Sequence, residues 1–472
     1  MSNQTQRIDV QANLGIYGWL SVFILCMNTS CESFLNIQPP SSKIPLEQVF
    51  EDDAMATSAL TGIYIDMYYA SGFAGGSNES VTTFAGLSAD ELVNNRSTPS
   101  YLQFESNSIN PSAAYVGSLW SSMYKVIYES NSALEGLQAS NGLTTSVKNQ
   151  LQGEAFFVRA FCYFYLVNLF GDVPIAIATD YKVNQALQRS SHSSVYDQIK
   201  ADLLRAEDLL SDEYSGAERT RPNKSVARAL LARVYLYTKD WARAEDKASI
   251  IIAQKNTYDL TDLNNVFLSN SREAIWQLRP VDGILYTNEG FYFGPEVGPI
   301  YNVLRPQIMN VFEEGDLRKT NWVTSVPSTN GTIYLPFKYK KFQTEGVLNE
   351  SSIVFRLAEI YLIRAEARLE QGKVGLAIDD IDYLRQRAGL SPLLSAMPIP
   401  EIDEVKEAIE RERQIELLAE WGHRWFDLKR WNKASVVLNP LKPDWTEYDT
   451  LYPVPTSELS KNVNLRPQNP GY

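Results

Sequence analysis

The strongest constraint on this chain is a spacing that occurs twice. Ala232, Tyr235, Ala244, Ala248 and Ile251 stand at successive offsets of 3, 9, 4 and 3, and Ala365, Arg368, Ala377, Ile381 and Leu384 repeat the same offsets. Offsets of 3 and 4 keep residues on one face of an α-helix. The offset of 9 leaves room for a turn, Lys239-Asp240-Trp241 in the first block and Gln371-Gly372-Lys373 in the second. Small residues on the shared face let two antiparallel helices approach closely, so each block reads as a helical pair.

Such pairs follow the logic of tetratricopeptide repeats, in which each unit buries its face only against its neighbours. Further pairs are expected over residues 118–168 and 154–210, the second interrupted by a loop at Gly171-Asp172-Val173-Pro174. Helical periodicity begins near Leu46, with Val49, Ala56, Leu60 and Ile63 at turn spacing. The fold class expected is mainly α, a scaffold of helical pairs. Residues 70–115 and 257–350 break the pattern and gather Gly, Ser, Asn, Pro and aromatic side chains, with a short strand expected at Ala274–Leu278. Stretches this long without periodicity are usually functional loops, so the irregular face is where a ligand is expected. Residues 432–472 are Pro-rich and read as a wrapping tail.

Composition removes several functions. A net charge of −13 over 472 residues argues against nucleic-acid partners, which require basic patches. The two histidines, His192 and His423, are far apart in sequence, and the three cysteines are Cys26, Cys31 and Cys162. This supply suits neither a His-centred triad, a Cys-rich metal site nor a disulfide framework. No catalytic residue, metal site or cofactor is therefore assigned.

The 26 Tyr and 9 Trp suit a different chemistry. Sugar rings lay their C–H faces on aromatic rings, while Asn, Asp and Arg pair with the hydroxyls. Asn94, Asn95, Arg96 and Tyr101 supply both elements in one irregular segment. Tyr286 and Tyr292 do so in another that runs to Tyr301, joined by Trp322.

The charged helices near the C-terminus read as structural. At about 100° per residue, Arg356, Glu359, Glu366 and Glu370 fall on one stripe, expected to face solvent. Arg364 and Arg368 fall inside the apolar arc of Leu357, Ile360, Tyr361 and Ala365, and Arg411 falls with Ile415 and Leu418. A charge in a helix interface needs a partner, so these arginines are expected to pair with carboxylates such as Glu412, Glu416 or Asp427.

At the other end, residues 14–27 form an apolar run too short to span a bilayer. It reads as the core of a signal peptide over residues 1–30, closing at Cys31, with a Pro39-Pro40 tether over residues 31–45. Asn28 stands three residues before Cys31, where a lipoprotein box prefers Leu.

Taken together, several segments resemble the SusD/RagB family of outer-membrane lipoproteins of Bacteroidetes. They are CESFLNIQPP from Cys31, GEAFFVRAFCYFYLVNLFGDVP from Gly153, FRLAEIYLIRAEARLEQG from Phe355, IDYLRQRAGL from Ile381, IERERQIELLAEWGHRWFDLKRW from Ile409, LYPVPTSEL from Leu451 and the terminal QNPGY. Trp421 stands where many relatives carry Glu. The resemblance implies a SusD-like α-α superhelix, divided into an N-terminal region over 46–256 and a C-terminal region over 257–472. It implies a non-enzymatic binding subunit that captures a glycan, or a peptide in the RagB branch. It also implies lipidation at Cys31, an anchor in the outer membrane, and a SusC-like TonB-dependent transporter as partner.

Overall fold

Apolar residues at helical spacing form helices along most of the chain. In chain order the principal ones are α1 (Asp53–Ile65), α2 (Val81–Ser88), α3 (Pro99–Glu105), α4 (Ala114–Ala139), α5 (Thr145–Phe170), α6 (His192–Leu209), α7 (Lys224–Tyr237), α8 (Trp241–Ile252), α9 (Asn288–Phe293), α10 (Leu317–Trp322), α11 (Leu357–Glu370), α12 (Val374–Arg387), α13 (Ile402–Glu416) and α14 (His423–Arg430). The computed structural model describes residues 46–472, apart from 71, 217, 281–283, 296–298, 330, 342–348 and 397–399. The signal peptide, Cys31 and the tether over 31–45 lie outside the described residues. Leu46–Val49 is a short helix by itself, and residues 50–472 form one contact unit.

Within that unit the long helices pack in a line of neighbours. α5 lies between α4 and α6, α6 meets α7, α7 pairs with α8, α8 meets α11, and α11 pairs with α12 while α13 closes over both. Both repeated blocks are helical pairs, α7 with α8 and α11 with α12. Ala232, Tyr235, Ala244, Ala248 and Ile251 are buried in the first, and Ala365, Ala377, Ile381 and Leu384 in the second. Asp240 caps α8 by accepting the Arg243 backbone N–H. At the equivalent turn Gly372 takes φ +73°, a conformation that favours glycine. α5 is long and apolar enough to cross a membrane, yet it is buried almost throughout and packs as the central core helix.

Among the described residues, two antiparallel sheets complete the body. β2 (Ala274–Leu278), the expected strand, pairs with β6 (Ser352–Arg356) and carries Trp276 into a cluster with Phe157, Phe161 and Phe355. The other sheet has the order β1 (Leu92–Asn94), β3 (Asn302–Leu304), β5 (Gly331–Pro336), β4 (Val323–Ser328). The stretch 70–115 is more regular than its composition suggests, because Ser80 caps α2 and Pro99 occupies the first turn of α3. The tail likewise holds short helices, Ala434–Leu438 and Thr456–Lys461.

The charged stripe on α11 is not solvated. Arg356 and Glu359 are each 1% exposed and Glu366 is 6% exposed; only Glu370, bonded to Lys406, faces solvent. Glu359 takes a bidentate pair from Arg233 at 2.6 and 2.7 Å, and Glu366 accepts from Arg430 and from the Trp431 indole. Periodicity shows which residues share a face; here α7, α8, α12 and α13 cover α11 from several sides.

Arg364 and Arg368 are paired as expected, but with other partners. Both reach Asp380 of α12, at 2.6 and 2.9 Å, and Arg368 also reaches Glu245 of α8 at 3.1 Å. Arg411 departs from expectation: its side chain is 39% exposed, and Glu313 lies 3.6 Å away. Arg413, two residues on, is the inward one and binds Asp427 at 2.8 Å.

Glu412 and Glu416 serve a buried network instead. Arg318 binds Asp316, Glu412 and Glu416; Arg356 binds Glu273, Glu416 and Glu420; Arg387 binds Glu273 and Glu416; Lys338 binds Glu420. Against the cost of burial, Arg387, Arg356 and Arg318 hold the Glu416 carboxyl well below the usual carboxylate range.

Candidate functional site

Strand pairing assembles the candidate site. β1 runs antiparallel to β3, with Asn94 opposite Asn302, so the segment after β1 arrives beside Tyr301. The Asn94 carboxamide donates to the Tyr301 carbonyl at 3.0 Å and to Asn302 Oδ1 at 3.1 Å, and its oxygen accepts the Thr98 N–H at 2.6 Å. These bonds commit Asn94 to shaping the turn. Asn95 donates its backbone N–H to the same carbonyl at 2.7 Å, while its side chain is exposed and donates to Ile300 O at 3.3 Å.

Arg96 is exposed, and its guanidinium lies 5.7 Å from the centre of the Tyr301 ring. Among the described residues no carboxylate stands within 4.0 Å of it, so its fork of donors is free. Beneath it, the Tyr101 ring meets Tyr301 edge-on at 6.0 Å and lies parallel to Tyr115 at 5.8 Å. Tyr101 itself is buried, and it backs the half-buried rings of Tyr115 and Tyr301.

The second segment adds its own aromatic step. Tyr286 stacks on Phe291 at 4.8 Å, and Phe291 meets Tyr292 edge-on at 5.2 Å. α9, which carries the latter two, is capped by Thr287 and tied to the loop over residues 72–80. Asn288 donates to the Gly75 carbonyl at 2.7 Å, and a Cβ on Gly75 would come within 2.3 Å of the Tyr68 carbonyl. Gly76 has φ +66° and lies against the buried carboxyl of Glu289. Glycine is thus required twice where this loop folds back.

That loop delivers an exposed carboxylate, Glu79, among the tyrosines. Burial first, and then the Glu79 charge and neighbouring phenols, raise Tyr101, Tyr115 and Tyr292 above the ordinary phenol range. The Glu79 charge thus bears on Tyr101 and Tyr115 of the first segment and on Tyr292 of the second, while Tyr301, edge-on to Tyr101, has Arg96 over its ring. Aromatic faces flanked by a carboxylate and a guanidinium suit a neutral polyol, which offers C–H surface and hydroxyls together. Glu79 and Tyr115 are absent from the candidates drawn from the sequence. No motif marks Glu79, and only the loop-to-α9 contact places it.

Trp322 does not belong to this face. It is 1% exposed, its indole N–H donates to the Leu263 carbonyl at 3.0 Å, and it packs with Phe267. Its ring lies under the buried ionic network, with Lys338 4.6 Å, Arg387 5.5 Å and Arg356 5.8 Å from its centre. Its aromatic surface is spent on cations. Among the described residues no group of three His, Cys, Asp or Glu is arranged to hold a metal ion.

Comparison with known proteins gives consistent matches. Residues 33–236 match a family model described as starch-binding associating with outer membrane, and residues 273–472 match the SusD family model. SusD-like protein P2 of Formosa agariphila is 30% identical over 413 residues, covering 76% of this chain and 81% of that protein. A SusD superfamily protein of known structure from Bacteroides vulgatus superposes with a TM-score of 0.77 at 22% identity, covering 90% of this chain and all of that one. A laminarin binding SusD-like protein superposes with a TM-score of 0.73 at 25% identity, again over 90% of this chain and all of that one. Two family models that match residues 33–236 and 273–472, and a relative matched over most of its own length, carry one conclusion: the chain belongs to the SusD family.

Proposed function

We propose that this protein captures a glycan at the tyrosine face around Glu79 and passes it, unmodified, to a SusC-like TonB-dependent transporter. In this reading Cys31 carries the lipid that holds the chain at the outer surface of the outer membrane. The observation that carries the proposal is the cluster of Tyr101, Tyr115 and Tyr301 with Arg96 over the Tyr301 ring, brought together by β1–β3 pairing, with the Glu79 charge reaching both this cluster and Tyr292 of α9. Support comes from the outer-membrane, starch-binding description of the family model and from the laminarin-binding relative. Asn95, Arg96, Tyr286 and Tyr292 are the contacts we assign; Asn94 and Tyr101 position them.

The test is a binding panel on the chain from Glu32 onward, starting with starch and laminarin fragments and including peptides, with each mixture analysed for products. Saturable glycan binding with no product is expected. Peptide binding in its place would favour a RagB-type subunit, binding of neither would favour a protein-docking scaffold, and product formation would mark a hydrolase.

A further inference from the structure

A second cavity lies away from the tyrosine face, where the C-terminal turn of α14 meets the end of α5. It holds about 540 Å³ and is lined by Asn168, His192, Tyr196, Tyr237, Lys429 and Ser435, with the exposed residues Glu447 and Tyr448 at its mouth. That volume falls within the range of small-molecule sites.

Lys429 is the unusual member. Its ammonium donates to the Asn168 carbonyl, one of the last carbonyls of α5 left without a helical partner. Among the described residues no carboxylate lies within 4.0 Å of it. Its neighbours in sequence differ: Arg430 binds Glu366 and Asp427, and Arg424 binds Asp90. The Lys429 ammonium lies 5.4 Å from the centre of the Trp425 ring and 5.8 Å from that of Phe426. Loss of hydration pushes it down to about 7. An ammonium has three donors, so two remain without an acceptor among the described residues.

The rest of the lining is similarly unbalanced. The Tyr237 hydroxyl is buried with no hydrogen-bond partner among the described residues, whereas Asn168 and Tyr196 satisfy one another at 2.9 and 3.2 Å. Burial, and then the Lys429 charge, lower the His192 imidazole, and the Arg430 guanidinium, also in the lining, is engaged by Glu366 and Asp427. Unpaired donors lining a cavity of this size call for a small molecule that carries an acceptor-only group.

We propose that this cavity is an oxyanion site, in which the Lys429 ammonium and the Tyr237 hydroxyl hold the carboxylate or other oxyanion of a small molecule. The site is separate from the tyrosine face and does not depend on the reading given to it.

Isothermal titration and thermal shift on the folded chain test this with three probes: glucuronate, glucose and inorganic phosphate. Glucuronate is expected to bind saturably and to raise the melting temperature, and glucose to do neither. Phosphate binding as tightly as glucuronate would identify the source as a free inorganic anion, and glucuronate binding tenfold tighter would identify it as a sugar acid. Lys429→Met should weaken glucuronate at least tenfold, and Tyr292→Ala should leave it unchanged. If Lys429→Met fails to fold, Tyr237→Phe serves, with a severalfold loss expected at an unchanged melting temperature. Equal binding of glucose and glucuronate, no binding of glucuronate or phosphate, or full binding by the folded Lys429→Met or Tyr237→Phe variant would overturn the proposal.

Discussion

Glu91, at the start of β1, has a carboxyl buried beside Asp90, and it accepts the Ala419 N–H at 3.3 Å. Burial first, and then Asp90, push it up to about 8. Between the unfolded value near 4.5 and that of the folded state, the folded chain keeps a proton that the unfolded chain releases. Glu91 therefore costs stability as pH rises through this window. Glu91→Gln should stabilise the protein at pH 8 by on the order of 2 kcal/mol and change little at pH 4, measured by urea unfolding at both values. Trp322 makes the complementary point. Its replacement by Ala should cost about 3–5 kcal/mol of stability while any folded fraction keeps its glycan affinity. From sequence, Trp322 and Tyr292 are equivalent aromatics in irregular stretches. What separates them is the cations that gather over Trp322, contributed by residues far away in the chain.

Among elements, the helical pairs are legible because alanine spacing is a local consequence of close approach: one face must be small all along its length. Tertiary cover is not local, and it reverses the reading of α11. Its stripe of Arg356, Glu359 and Glu366 is buried because four other helices close over it. Arg356 then holds three carboxylates, Glu273 at 2.9 Å, Glu416 at 2.6 Å and Glu420 at 2.8 Å. Arg356→Met would leave those anions short of a partner in the interior, so a loss of about 3–5 kcal/mol is expected in urea unfolding. A replacement that unfolds at the wild-type urea concentration would show that the network is satisfied without it. The three-residue strands β1 and β3 are equally invisible in sequence, since partners two hundred residues apart define them. They are nevertheless what joins the two candidate segments into one face.

For the whole molecule, acid is the condition that separates its ionic groups. Glu366 is buried, yet Arg430 and Arg413 overcome that cost and hold its carboxyl down to about 2. A depressed carboxylate stabilises the fold fully above its unfolded value and loses that contribution as pH falls toward the folded one. Circular dichroism should therefore show unfolding that sets in below about pH 4 and is advanced to higher pH by Glu366→Gln. The family was legible from motifs spread along the chain, and most of these motifs prove to be core and ionic scaffold. The binding residues lie in loops without such motifs, which is why Glu79 and Tyr115 emerge only from the structure.

Glycan capture at the tyrosine face is tested most directly by titration of the best glycan of the panel into wild type and into an Arg96→Ala, Tyr292→Ala double variant, each checked by thermal melting. The expected result is at least a tenfold loss of affinity with a melting temperature within about 2 °C of wild type, since exposed Arg96 and half-exposed Tyr292 contribute little to the core. Undiminished glycan affinity in the folded double variant would contradict the account.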